Sequence, residues 1–236
     1  MNRTELDSTG TLISAVGFGG MHLSIKGRPD EATARAVLNA SLDAGVSFID
    51  TADVYCIDDN DMGHNERLIA SVLAQRADRD RIHVATKGGM RRPNGEWTRD
   101  GSPQHLREAC EQSLRSLGTD QIFLYQLHAP DPNVPFEHSV EVLAELQQRG
   151  KVRHVGLSNV SVDQIRSAQD ILEVVSVQNR LNPWFREAVI SGVVEYCGDQ
   201  KITFLAYSPA GGGRLAKKIP RYVVLQQIAQ SHGVSQ

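Results

Sequence analysis

One unit recurs along this chain and limits what it can fold into. Short apolar runs rich in β-branched residues alternate with amphipathic stretches. The runs are Ala15–Gly19, Val46–Asp50, Ile82–Thr86, Ile122–Leu127, Val152–Leu157, Val174–Gln178 and Ile202–Tyr207. From the second onward they begin 36, 40, 30, 22 and 28 residues apart. Each interval has room for one helix and two loops, as a crossover between parallel strands requires. Runs that are apolar on both faces point to a parallel sheet covered by helices.

The intervening segments read as helices over Asp30–Ala44, Glu66–Gln75, Pro103–Leu117, Phe136–Arg149, Ser161–Gln169, Arg186–Tyr196 and Arg221–Ser231. Ser102-Pro103 supplies a cap and a first-turn proline, and Gly45, Gly118 and Gly150 supply stops. Two architectures fit this alternation: an open doubly wound sheet or a closed β/α barrel. The open sheet calls for a glycine-rich phosphate loop after an early strand. Gly17–His22 is the nearest stretch, but its sixth residue is His22 and no helix starts there. The expected fold is therefore α/β, a (β/α)8 TIM-type barrel. Thr4–Leu6 and Thr11–Ser14 flank Asp7–Gly10 and predict an N-terminal β-hairpin that could plug the barrel bottom. No composition break marks a linker, so residues 1–236 are expected to form a single domain.

Composition narrows the function classes. The net charge of -3, from 25 basic and 28 acidic residues, argues against a nucleic-acid surface. No apolar run approaches the ~18–20 residues of a membrane span, and Met1–Gly10 lacks a signal-peptide core. Cys56, Cys110 and Cys197 are odd in number and widely spaced, which fits reduced thiols and a cytoplasmic location. The eight histidines include no pair at metal-ligand spacing, so no metal site is expected and a metal-dependent hydrolase is disfavoured.

In a β/α barrel the chemistry sits at the C-terminal strand ends. Those ends deliver Asp50 and Tyr55, Lys87, His128, Ser158 and Asn159, Gln178, and Tyr207 to one rim. Singly, each has a structural explanation; on consecutive strand ends they make a coherent group. A free tyrosine titrates near ~10, and an ammonium beside it favours the phenolate. Lys87 could supply that charge, with Asp50 fixing the lysine and His128 orienting a substrate oxygen. Tyr55 would then donate a proton to a carbonyl oxygen. No side chain supplies hydride, so a reduction needs a nicotinamide cofactor. Ser158, Asn159 and Gln178 could hold its carboxamide. The glycine-rich stretch Ser208–Arg214, with Lys217 and Lys218 beyond, could approach a pyrophosphate.

At these residues the sequence resembles the aldo-keto reductases. The pieces are Phe48–Tyr55 (FIDTADVY), Ala85–Gly88 (ATKG), Leu124–His128 (LYQLH), Gly150–Val160 (GKVRHVGLSNV), Val177–Arg180 (VQNR) and Tyr207–Pro209 (YSP). They occur in the family's order from about Val16 to Gly233. The resemblance implies an NAD(P)H-dependent carbonyl reductase, with NADPH the expected cofactor and NADH the other candidate. It implies Tyr55 as general acid/base, with Lys87, Asp50 and His128 as partners. It also implies a cofactor set of Gly20, Met21, Asp50, Ser158, Asn159, Gln178, Tyr207, Ser208, Pro209, Ala210, Gly211 and Gly213. In that set Tyr207 stacks on the nicotinamide and Ser208–Gly213 fold over the pyrophosphate.

The sequence departs from the family pattern at Cys56, Asn65 and His22, where Gly, Ser and Arg are common. The larger departure is at the end: the chain is expected to lack the eighth β/α unit, which in the family contacts the adenosine 2′-phosphate and adenine. Open strand edges would then invite homo-oligomers. Two readings follow: a reductase of small carbonyl compounds, or a shortened nucleotide-binding protein of the same fold with weak or no turnover.

Overall fold

The computed structural model describes residues 1–234. Its strands are β1 (Arg3–Leu6), β2 (Thr11–Ser14), β3 (Phe18–Gly19), β4 (Phe48–Asp50), β5 (His83–Gly88), β6 (Met90–Arg91), β7 (Thr98–Arg99), β8 (Ile122–Leu127), β9 (Val152–Ser158), β10 (Val174–Arg180) and β11 (Thr203–Tyr207). Its helices are α1 (Glu31–Asp43), α2 (His64–Leu73), α3 (Pro103–Leu117), α4 (Phe136–Gln148), α5 (Val162–Gln169), α6 (Glu187–Ile190), α7 (Val193–Asp199), α8 (Gly212–Ala216) and α9 (Val223–Ser231).

Seven strands pair in parallel in the order β11-β10-β9-β8-β5-β4-β3, a nearly closed barrel with helices between successive strands. Among the described residues strands β3 and β11 pair on one side only. Local signals set the helix ends. The Ser102 hydroxyl accepts from the His105 amide at the start of α3, and Gly118 ends that helix in the left-handed region. Ser161 and Gln164 form a reciprocal capping box on α5.

The hairpin of β1 and β2 pairs antiparallel, as predicted. Leu6 and Ile13 are buried from it against Phe48, Ala85, Leu124 and Val175. Each such side chain contributes about 1.5–3 kcal/mol when fully buried. The backbone amide of Asp7 donates to Thr203 Oγ1 at 2.8 Å, tying the hairpin to β11. Two residues further along the strands, on the same face, polar groups replace the apolar floor: Asp50 follows Phe48, Lys87 follows Ala85, and Gln126 follows Leu124. The barrel is thus plugged with hydrocarbon below and lined with charge above.

One expectation changes, and two features are added. The segment Arg186–Tyr196 is not one helix: Gly192, at φ 79°, separates α6 from α7. After β5, β6 and β7 pair as a small antiparallel hairpin. Its base is joined by Arg91 and Asp100 at 2.5 Å. The glycine-rich stretch contains the short helix α8.

Candidate active site

The rim gathers the predicted group around Lys87, whose side chain is 1% exposed. Its Nζ donates to Asp50 Oδ2 at 2.8 Å, to the Thr51 carbonyl at 2.9 Å and to Tyr55 Oη at 3.0 Å. All three ammonium hydrogens are therefore used, and the amine cannot swing away without leaving a buried charge unpaired. Asp50 Oδ1 also lies 2.8 Å from Nζ and accepts from Gln178 Nε2 at 2.8 Å. Gln126 Nε2 approaches the same oxygen at 3.5 Å.

Tyr55 comes off the loop after β4. Its ring meets those of His128 and Trp97 edge-on, with centroids 5.8 and 6.3 Å away. His128 and Trp97 meet at 6.4 Å, so the three rings enclose one corner of the rim. Among the described residues His128 makes no side-chain hydrogen bond, and its Nδ1 is sealed from solvent without a partner.

Burial raises the Tyr55 phenol above its usual value, and the nearby Lys87 ammonium lowers it; burial outweighs the ammonium and the net shift is upward. The sequence predicted a phenol made more acidic by the ammonium. The ammonium acts in that sense, but desolvation exceeds it. Burial lowers Lys87, but Asp50 and Tyr55 more than offset this, and the net shift is upward. Burial, then the Lys87 charge, hold His128 well below its usual value. At neutral pH the resting site therefore holds a protonated phenol, an ammonium and a neutral imidazole.

The next strand ends continue the rim. Ser158 Oγ donates to the Gln178 carbonyl at 2.7 Å. Asn159 Nδ2 donates to the His128 carbonyl at 2.9 Å, and Asn159 Oδ1 accepts from Tyr207 Oη at 3.0 Å. Asn159 and Ser208 hold φ of 60° and 51°, a left-handed conformation unusual for non-glycine residues and often retained where a site needs it. Gly20 and Met21 lie at a single 3₁₀ turn after β3. Gly20 packs closely on Asn65, whose Nδ2 donates to the Gly20 carbonyl at 2.9 Å.

Ser208–Gly213 stand apart from this network. The Gly211 amide donates to the Ser208 carbonyl at 2.8 Å, and the Ser208 carbonyl accepts from Asn182 Nδ2 at 3.1 Å. A side chain at Gly211 would strike Trp184, whereas Gly212 and Gly213 face open space. Pro209 and Ala210 are exposed. The structure thus brings Asp50, Tyr55, Lys87, His128, Ser158, Asn159, Gln178 and Tyr207 together and leaves the glycine-rich turn beside them.

Sequence reasoning missed Gln126, although it stands on β8 two residues before His128, which directly follows that strand. It also missed a buried group behind Lys87. Thr86 Oγ1 donates to Glu66 Oε1 at 2.6 Å, while Glu66 Oε2, Asp53 Oδ2, Ser113 Oγ and Tyr125 Oη are buried without partners. Burial pushes Glu66 up to about 7, and burial together with Glu66 pushes Asp53 well up. Among the described residues no three His, Cys, Asp or Glu side chains are placed to hold a metal ion.

The family model described as "Aldo/keto reductase family" matches residues 15–232. The chain belongs to the aldo/keto reductase family. It is 34% identical over 221 residues to the aldo-keto reductase YhdN of Bacillus subtilis (strain 168), covering 93% of this chain and 65% of that protein. It is 35% identical to a 6-dehydroglucose reductase of Novosphingobium aromaticivorans, over 98% of this chain and 78% of that one. Among solved structures it resembles the holo form of aldo-keto reductase AKR11C1 from Bacillus halodurans, with a TM-score of 0.76 and 30% identity over 90% of this chain and 68% of that one. This aldo/keto reductase chain therefore spans about two thirds of the length of YhdN.

Proposed function

We propose that this chain reduces an aldehyde or ketone of a small molecule to an alcohol with NADPH, NADH being the alternative. The Lys87–Tyr55 hydrogen bond of 3.0 Å carries the reading. Tyr55 holds the proton that the carbonyl oxygen receives. As that proton leaves, negative charge develops on the phenolic oxygen, against which the Lys87 ammonium already lies. Asp50 keeps the lysine charged and in place. His128, held neutral, offers a ring nitrogen to orient the substrate oxygen. A bound reduced nicotinamide supplies the hydride, and carbonyl, hydride and proton together give the alcohol.

The residues fit such a cofactor. Ser158, Asn159 and Gln178 form an uncharged hydroxyl-and-amide set suited to a neutral carboxamide. Gln178 uses its Nε2 on Asp50, and the neighbouring Gln126 Oε1 is buried without a partner among the described residues. The half-buried ring of Tyr207 borders that set through its hydrogen bond to Asn159, and the Gly20 amide donates to the Asp50 carbonyl at 2.8 Å. Gly212 and Gly213 present bare backbone to open space, as an approach to a pyrophosphate needs.

Absorbance assays with NADPH or NADH and a panel of aldehydes test the reading. Turnover that is lost in Tyr55→Phe supports it; turnover that survives unchanged refutes the assigned acid. The alternative reading is a nucleotide-binding protein of the same fold without turnover. Calorimetry showing cofactor binding with no reduction of any aldehyde would select it. We further propose self-association through the free sides of β3 and β11. Light scattering at micromolar concentration should give a dimer, and a monomer would exclude this. The three cysteines are free and buried, which supports a reducing, cytoplasmic setting.

A further inference from the structure

Arg92 is 3% exposed and forms no ion pair among the described residues. Its Nη2 donates to the carbonyls of Cys56 and Ile57 at 3.2 and 3.0 Å, the two residues after Tyr55. Its Nε and Nη1 are buried without partners. The guanidinium lies 3.9 Å over the ring of Trp97. That ring is 44% exposed and meets both Tyr55 and His128 edge-on. Arg92 thus sits one indole behind the corner where the carbonyl would react.

The surrounding charges do not cancel it. Lys87 is neutralised by Asp50, Arg91 pairs with Asp100 and Asp61 pairs with Arg28. Tyr55 and His128 are uncharged, and Glu96 points to solvent. Asp58 and Asp59 lie on the turn that packs against Pro93–Gly95, but neither pairs with Arg92 among the described residues, so the guanidinium is a buried cation with no counter-ion in contact, in a poorly solvated place where it acts over longer distances than it would in water. A guanidinium stacked on an aromatic face, with hydrogen-bond donors unspent, is suited to an anionic partner.

We propose that Arg92 is a specificity-determining residue that makes this pocket prefer carbonyl compounds carrying a carboxylate. The inference rests on the carbonyl-reductase reading and names its substrate class. A substrate carboxylate lying along Trp97 would supply the missing negative charge while its carbonyl faces Tyr55 and His128.

The test uses two carbonyl compounds of matched shape, 4-formylbenzoate and methyl 4-formylbenzoate. Their reduction by the chain, and by Arg92→Met and Arg92→Lys, is followed with NADPH. The acid should be preferred about tenfold in kcat/KM, mainly through KM. Arg92→Met should bring the ratio close to one. Arg92→Lys keeps the charge but cannot span both carbonyls, and should retain part of the preference. A purely structural clamp would lower both substrates alike and leave the ratio untouched, which overturns the proposal, as does a wild-type ratio of one. The same compounds are also titrated against Trp97 fluorescence in a Trp184→Phe background. If neither compound is reduced, the reductase reading fails by itself. Tighter binding of the acid, lost in Arg92→Met, still upholds the charge preference, and equal binding overturns it.

Discussion

Lys87 Nζ donates to Tyr55 Oη across 3.0 Å while the same nitrogen is held by Asp50. The phenol is kept protonated by burial and is relieved of the cost of ionising by an ammonium that need not move. Tyr55→Phe keeps the ring and its contacts with Trp97 and His128 but removes the proton. Its kcat should fall about 10²–10⁴-fold, with cofactor affinity by calorimetry unchanged. A smaller loss would mean that another group or water donates.

Lys87→Met should be a stability variant as well as an inactive one. It leaves the Asp50 carboxylate at the barrel mouth without its cation. Breaking such a pair costs about 3–5 kcal/mol, roughly 6–20 °C in Tm for a chain of this size. The double variant Lys87→Met/Asp50→Leu should recover most of that loss while remaining inactive. Equal melting temperatures for wild type and Lys87→Met would show that the pair carries no such energy.

Glu66 should make stability fall as pH rises. Burial takes its carboxyl from the ordinary 4.5 to about 7, against the hydrogen bond from Thr86 and the charges of Arg67 and Lys87. A carboxyl whose folded pKa exceeds its unfolded one favours folding while protonated. Its contribution is complete below about 4.5 and is lost as pH climbs through about 7. Asp53, facing the same group, acts in the same direction. Melting temperatures measured from pH 5 to 8 should decline in the wild type and flatten in Glu66→Gln. Parallel profiles would remove Glu66 as the cause.

Gly20→Ala should be costly, although the residue lies outside the proton network. An added Cβ would fall 2.4 Å from Asn65 Oδ1. Asn65 joins the Thr51 hydroxyl to the Gly20 carbonyl, so no simple retreat is open to it. Overpacking of this kind costs about 1–3 kcal/mol, read from the urea midpoint. Asn65→Ser in the same chain makes room and should return part of the loss.

Much of this was legible because periodicity and strand ends carry it. Ile122–Leu127 is bounded as the apolar run predicts, and Asp50, Lys87 and His128 arrive at one rim because parallel strands all end there. The hairpin after β5 was not legible. Its two strands have two residues each, too few to show alternation, and a pairing of Arg91 with Asp100 closes it. The break at Gly192 was readable as a glycine but not as a left-handed turn. The upward shift of Tyr55 was hidden for another reason: the sequence names the neighbouring ammonium but not the depth of burial that opposes it. Arg92 reads as one cation among many until its burial against Trp97 is seen.

The contact between Asp7 and Thr203 joins residues separated by most of the chain. The barrel floor can therefore be finished only after β11 has been synthesised. Until then Leu6 and Ile13 have an incomplete seat, and the nascent chain must carry an unsealed hydrocarbon surface through most of its translation. Proteolysis of ribosome-bound chains should cut the first hairpin readily in those ending before residue 203 and spare it in those extending past residue 207.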